Sequence, residues 1–262
     1  MKIVACIQVR MNSSRLSKKA LKKIYGKTSI EWVIESTKRS KYIDEIVIAT
    51  TKDNSDNELV DFLESIKQPY YRGSVENVAS RLYESGKAFG ADHVVRIVGD
   101  HPLNSYELLD FLIEDHLKSN NDFTSLNRDN IAVGVLSEVI NQNAFARLLN
   151  YNLNFSYSEY LTYFFTKNTS FFDVKLLNAP KKYQSNPFRL TLDYNEDYIL
   201  LEKLIEVLLT KYKDINHQNI IQEMTSNKDL NKINSNLKQK FQQKDLLDKI
   251  LNACTIDKNE KN

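Results

Sequence analysis

The stretch "KIVACIQVRMNSSRLSKKAL", residues 2–21, decides the fold. Its first eight residues form a near-continuous apolar, β-prone run, the pattern of a strand covered on both faces. The chain then reverses character. Residues 10–27 carry seven Lys or Arg and no Asp or Glu, in a protein whose net charge is only +2. A turn rich in backbone N–H groups, serine hydroxyls and cations suits a polyphosphate: amides and hydroxyls satisfy oxygens at fixed positions while Arg and Lys neutralise charge. The bland alternative is a solvated basic turn, which is what most charge runs are. Placement directly after the first strand weighs against it, because open α/β sheets bind ligands at the carboxyl ends of their strands.

Strand and helix alternate outward from that stretch. "EIVIATT" (45–51), "PYYRG" (69–73) and "HVVRIVGD" (93–100) read as strands. "SIEWVIESTKRS" (29–40), "NELVDFLESI" (57–66), "VENVASRLYESGKAFG" (75–90) and "SYELLDFLIEDHL" (105–117) read as helices, the last with Ser105 as N-cap. This rhythm predicts a mostly parallel sheet covered by helices on both faces. Beyond residue 120, "IAVGVLSEVI" (131–140) reads as a strand leading into a helix at 143–149. "SYSEYLTYFFTK" (156–167) reads as a helix, "FFDVKLLNA" (171–179) and "FRLTLD" (188–193) as strands, and residues 196–212 as a strong helix. The aromatic stripe Tyr157, Tyr160 and Phe164 reads as core. The expected organisation is one unit over 1–225, with a nucleotide half to about 120 and an acceptor half beyond it. A polar, helical, partly flexible tail follows over 226–262.

Composition excludes several classes. The small net charge argues against a dedicated nucleic-acid binder. Cys6 and Cys254 make neither a disulfide framework nor a C-x-x-C pair. Four His lack metal-ligand spacing, no apolar run reaches membrane-span length, and neither a P-loop nor G-x-G-x-x-G is present. A cytoplasmic protein is expected, with a homodimer left open.

Two strand ends carry carboxylates. Asp100 in "RIVGDHPL" sits between Gly99 and the stiff Pro102, and Asp193 ends "FRLTLD". Strand-end carboxylates facing a phosphate site suit Mg²⁺, which takes oxygen ligands from one or two carboxylates plus phosphates. The competing reading of Asp100 is a turn residue capping its own backbone. Glu196 and Asp197 read as first-turn helix residues favoured by the dipole.

Four segments in order resemble the spore-coat polysaccharide (SpsF-like) cytidylyltransferases, relatives of the acylneuraminate and ketodeoxyoctulosonate cytidylyltransferases. "IQVRMNSSRLSKKAL" is similar to I-Q-A-R-M-G-S-x-R-L-P-G-K-x-L, and "YRGSVENVASRLY" to R-G-S-x-x-D-V-L-x-R-Y. "RIVGDHPL" is similar to R-I-T-G-D-C-P-L, and "FRLTLDYNEDY" to R-L-T-V-D-T-P-E-D. The resemblance runs to about residue 240. It implies an α/β, glycosyltransferase-A-like three-layer fold and transfer of CMP from CTP to an acidic sugar. By position it implies that Arg10, Ser13, Ser14, Arg15 and Lys19 hold the triphosphate, with Arg10, Arg15 and Lys19 acting in catalysis. Gly73, Ser74, Arg81 and Asp100 lie near the nucleotide, and Asp100 and Asp193 bind Mg²⁺.

The departures from the family pattern are specific. Ser17-Lys18 replaces Pro-Gly, Asn12 replaces Gly and Asn77 replaces Asp. On the acceptor side Ala132 stands for Asp, Gly134 for Glu and Tyr160 for His, while Glu159 and Thr162 are kept. If residues 131–136 form a strand, Ala132 and Gly134 share a face. The loss of two carboxylates there implies an acceptor bulkier or more anionic than the eight-carbon acid, such as a nine-carbon acylamino acid sugar. Two other readings stand beside this one. A sugar-nucleotide glycosyltransferase of the same fold wants a D-x-D pair, and "GDHP" offers one Asp. A catalytically silent nucleotide-binding assembly module would suit the altered acceptor side.

Overall fold

The computed structural model describes residues 1–13, 15–238 and 243–257; Ser14 lies outside them. The first strand, β1 (Ile3–Gln8), is buried on both faces as its composition demands, with Val4 to Ile7 wholly inaccessible. A short hairpin, β2 (Lys23–Ile24) and β3 (Lys27–Thr28), follows the basic loop. β1 lies in a seven-stranded sheet with β4 (Glu45–Thr51), β5 (Tyr70–Gly73), β6 (His93–Val98), β7 (Phe123–Leu126), β8 (Glu138–Asn141) and β9 (Val174–Leu177). The order is β5-β4-β1-β6-β8-β7-β9. All neighbours are parallel except the two pairings of β8.

Helices cover both faces. Ile3, Ala5 and Ile7 point into a core shared with α1 (Ser29–Lys38), α2 (Asn57–Ser65), α4 (Tyr106–Ser119), α7 (Asn195–Val207) and α8 (His217–Ser226). Val4 and Cys6 point the other way, toward α3 (Val78–Ala88), α5 (Gln142–Asn150), α6 (Leu161–Thr166) and α10 (Lys244–Cys254). Each buried aliphatic side chain on this strand contributes roughly 1.5–3 kcal/mol. Burial also pushes the Cys6 thiol up to about 12, which makes it an inert packing group. Helix starts are fixed locally. Thr28 and Glu31 form a reciprocal capping box on α1, Asn77 accepts from Ser80 N at the start of α3, and Ser105 caps α4. Residues 228–232 form α9 (Lys228–Lys232), with Leu230 buried. Farther on, Ile250 is buried, Cys254 and Ile256 enter the second core, and Asn168 bonds Cys254 O at 2.7 Å and Ile256 N at 2.9 Å.

Three expected elements differ. Residues 131–136 form no strand, because Gly134 turns the chain at φ +100°. "FRLTLD" is extended but joins no ladder. Leu190 N bonds Val133 O at 2.7 Å, and then Leu192 N bonds Asp100 O at 2.8 Å, so its amides are divided between two partners. Residues 156–167 split into a 3-10 turn, Phe155–Tyr160, and the short α6. A strand the periodicity did not mark, "FTSL" of β7, sits between β8 and β9 with every residue buried.

Candidate active site

The sheet reverses its winding at β1. The chain goes from β1 outward to β4 and β5, then returns to β6 on the other side of β1. The crevice at the carboxyl ends of β1 and β6 is therefore the topological switch point, the place an open α/β sheet offers a ligand. Gly99 N donates to Gln8 O at 2.8 Å, and a Cβ on Gly99 would lie 2.8 Å from the Val9 Cβ. The loops after β1 and β6 approach this closely because residue 99 has no side chain.

Asp56 anchors the first loop. Fully buried, it accepts from Met11 N at 2.7 Å, from Thr50 Oγ1 and Thr51 N, and from the Thr51 hydroxyl. Beyond it Lys18 adopts a left-handed conformation, φ 51°. That conformation favours glycine, the residue of the family pattern at this position. It turns the chain so that Lys19 points inward while Lys18 pairs with exposed Glu58.

Lys19 Nζ lies 2.5 Å from Asp100 Oδ2 and 2.9 Å from Asp193 Oδ1. Arg15 reaches the same Asp193 oxygen at 2.8 Å and lies over the Tyr194 ring, 5.2 Å from its centroid. Thus Arg15, Lys19, Asp100 and Asp193, from three separate stretches of chain, converge on one point. Burial raises the cost of the Asp100 charge, but Lys19, His101 and Arg15 overcome it and hold the carboxyl at about 2. Burial likewise works against the Lys19 charge, and the two carboxylates outweigh it and raise its pKa.

The rest of the expected set lies in two groups. Arg81 is buried, with its Nη1 donating to Ser74 O at 3.0 Å and its Nε without a hydrogen-bond partner. A Cβ on Gly73 would come within 2.8 Å of the Arg81 Cγ, so the glycine makes room for this side chain. Burial first and Arg10 second lower the Arg81 guanidinium to about 10. A buried guanidinium with an idle donor and a like charge beside it is poised for an anion or an acceptor-rich base. Arg10 itself is half-exposed, 3.6 Å from Glu159. Ser13 sits in the loop with its N–H bonded to Met11 O at 2.9 Å.

Toward the acceptor side, buried Arg96 donates to Gln8 Oε1 at 2.7 Å, to Glu138 Oε2 at 2.7 Å and to Glu159 O at 2.8 Å. The Thr162 hydroxyl donates to the other Glu138 oxygen. Tyr160, read above as core, is half-buried beside Glu159; burial and that carboxylate push its phenol up to about 12. Ala132 is buried in the first core. Gly134 presses on backbone, since a Cβ there would meet Leu190 C and Thr191 N at 2.6 Å. The shared strand face expected for these two positions does not exist.

Sequence reasoning missed Asp56, Arg96, Glu138, Arg189 and Asn234. Each is buried and polar, and each contacts a site loop or a site residue. Among the described residues no three His, Cys, Asp or Glu side chains cluster as a metal site. The protein offers two converging carboxylates, which fits a hard cation whose remaining ligands are phosphate and water.

Comparison with known proteins identifies the family. Residues 4–244 match the cytidylyltransferase family. The chain is 31% identical over 213 residues to the spore coat polysaccharide biosynthesis protein SpsF of Bacillus subtilis, covering 78% of this chain and 86% of that one. It is 33% identical over 127 residues to the 3-deoxy-manno-octulosonate cytidylyltransferase of Fusobacterium nucleatum, covering 47% and 49%. A cytidylyltransferase structure from Leptospira borgpetersenii superposes with a TM-score of 0.81 at 24% identity, over 91% of this chain and 99% of that one. With a crevice of cations and paired carboxylates at the switch point of its sheet, this chain belongs to the cytidylyltransferase family.

Proposed function

We propose that the protein transfers CMP from CTP to an acidic sugar, releasing pyrophosphate, with Mg²⁺ as cofactor, in the assembly of a surface polysaccharide. The observation that carries the reading is the convergence of Arg15 and Lys19 from the basic loop on Asp100 and Asp193. An acceptor oxygen attacks the α-phosphorus and pyrophosphate leaves. Such a reaction asks the protein mainly to align reactants and neutralise charge. Arg10, Arg15 and Lys19 face the triphosphate, with Ser13 from the same loop; Ser14, to which the resemblance gives the same role, lies outside the described residues. Arg81, Gly73 and Ser74 flank the nucleoside. Asp100 and Asp193 would hold Mg²⁺, which supplies further neutralisation of phosphate charge when bound.

The acceptor occupies the side bearing Glu159 and Tyr160; Ala132 and Gly134 are packed into the core and against backbone and do not wall it. The relatives named for spore coat polysaccharide and 3-deoxy-manno-octulosonate support an acidic sugar. The family match removes the glycosyltransferase reading, and the complete cation and carboxylate set speaks against a silent module. Among the described residues no helix is long and apolar enough to cross a membrane; a cytoplasmic location is part of the proposal, because its co-substrate is CTP. The test is pyrophosphate release from CTP, UTP, ATP and GTP against a panel of eight- and nine-carbon acidic sugars. CTP with at least one acid should stand out, and release with no acid, or a preference for another nucleotide, overturns the reading.

A further inference from the structure

The two oxygens of Asp193 face different ways. Oδ1 takes Lys19 and Arg15, at 2.9 and 2.8 Å. Oδ2 takes Arg189 Nη2 at 3.0 Å from the opposite side. Arg189 is gripped in turn by Asp197, whose Oδ1 accepts from Nε at 2.8 Å and whose Oδ2 accepts from Nη2 at 3.0 Å. Asp197 Oδ2 also accepts from Asp193 N and Tyr194 N, both at 3.0 Å, which fixes the backbone bearing Asp193. One more residue closes the arrangement from far along the chain. Asn234 donates its single amide nitrogen to Arg189 O at 2.9 Å and to Asp197 Oδ1 at 2.8 Å. Arg189, Asp197 and Asn234 are 6%, 0% and 3% exposed, so none of these bonds competes with bulk water.

We propose that Arg189, Asp197 and Asn234 are positioning residues that set the plane of the Asp193 carboxylate, and that the polar C-terminal segment is thereby part of the active site. The proposal rests on the reading of Asp193 as a metal-binding carboxylate. A carboxylate left to rotate presents either oxygen, and neither at a fixed angle. Held through Oδ2 by a forked guanidinium, it presents Oδ1 alone toward Lys19 and Asp100. Arg suits this role and Lys does not, because only the planar fork bonds Asp197 and Asp193 together. Asn234 suits it because a neutral donor stabilises Asp197 without adding charge to a balanced cluster. Groups that orient a metal ligand in this way typically change affinity or activity by about 10–100-fold when removed.

The test compares full-length wild type with Asn234→Ala and Arg189→Lys. Mn²⁺ binding in the presence of CTP is followed by electron paramagnetic resonance, alongside kcat and KM for CTP. Both variants should weaken Mn²⁺ binding about tenfold and lower kcat about tenfold, with KM for CTP within about twofold. Leu230→Ala is the structural control. It removes a buried apolar side chain from the same segment and should lower the melting temperature without moving Mn²⁺ affinity or kcat. If Asn234→Ala does not fold, Asn234→Ser takes its place, since the shorter side chain loses the same two bonds. Unchanged Mn²⁺ affinity in a folded Asn234 variant overturns the proposal, as does an equal loss in Leu230→Ala. An inactive wild type would instead overturn the functional reading, so the two failures are distinguishable.

Discussion

Lys19→Ala separates the two jobs the structure gives one ammonium group. Lys19 stands 2.5 Å and 2.9 Å from two carboxylates that are themselves 18% and 8% exposed at the side chain. At an effective dielectric near 20 each such pair is worth on the order of 6 kcal/mol before desolvation. Removing one partner of a buried pair costs about 3–5 kcal/mol. Arg15 stays on Asp193, so the low end of that range applies. Lys19→Ala should therefore lose about 3 kcal/mol of stability by urea denaturation without divalent metal.

Mg²⁺ should return most of that loss. The two carboxylates would then lose the cation that bridges them, with Arg15 left on Asp193 alone, and a ligand at a hundredfold excess over its Kd contributes about 2.7 kcal/mol. Wild type, whose Lys19 already bridges the pair, should gain less from Mg²⁺ alone. Turnover of CTP should fall at least about a hundredfold, the scale of a lost electrostatic contact to developing charge. Lys18→Ala, whose partner Glu58 is at the surface, serves as the control and should change neither quantity. Equal Mg²⁺ stabilisation of wild type and Lys19→Ala, or near-wild-type turnover in the variant, would refute the reasoning.

Other outcomes follow from single sites. Arg81→Met should keep the fold and raise KM for CTP by at least about tenfold, because the hydrogen bond it loses is only one while its idle Nε awaits a ligand; an unchanged KM places the nucleotide elsewhere. Gly134→Glu should be destabilised by more than about 2 kcal/mol, since any Cβ there meets backbone at 2.6 Å in a left-handed turn; a variant as stable as wild type by thermal denaturation contradicts the geometry. His116 is fully buried against His93 and Thr124, and burial followed by the His93 charge lowers it to about 4. A histidine held neutral stabilises the fold above its unfolded value near 6.5 and loses that contribution as pH falls from there to about 4. Stability should drop by up to about 3 kcal/mol over that window, and His116→Asn should flatten the slope.

The sequence made the nucleotide half readable because its signals are local. A doubly buried strand is continuous in apolar residues, and the loop beyond it is basic without interruption, so β1 and the Arg15–Lys19 segment could be read from single windows. Asp100 and Asp193 were visible as strand-end carboxylates, although the second "strand" is an extended segment whose amides are shared between Val133 and Asp100. The acceptor half resisted because its structure is set by long-range pairing. Alternation in "IAVGVLSEVI" suggested a strand, but Gly134 at φ +100° turns the chain onto Leu190 and Thr191, and no local pattern reports that neighbour. Asn234 lies in a Lys- and Asn-rich run that reads as solvated tail; its two buried partners are 45 and 37 residues away.

The charge run that begins at Arg10 now has a division of labour. Lys18 and Lys27 are answered at the surface by Glu58 and Glu35, and Lys22 lies over the Tyr198 ring. Arg15 and Lys19 are answered inside by Asp100 and Asp193, and Arg189 by Asp197, so three cations meet three carboxylates in the crevice. Arg10 and Arg81 stand apart from that balance, close enough for each to oppose the other's charge, with half-exposed Glu159, 3.6 Å from Arg10, against the two of them. The resting crevice is thus neutral at one end and in cationic excess at the other. A triphosphate adds about four negative charges, and the cationic end gives it the stronger initial attraction. Arg15 and Lys19 can then exchange carboxylate for phosphate oxygen without any charge leaving the site, provided a divalent cation takes over Asp100 and Asp193. The seven cations are therefore no general affinity for anions: two are held against carboxylates, and in the proposed reaction the nucleotide and a divalent cation would together release them.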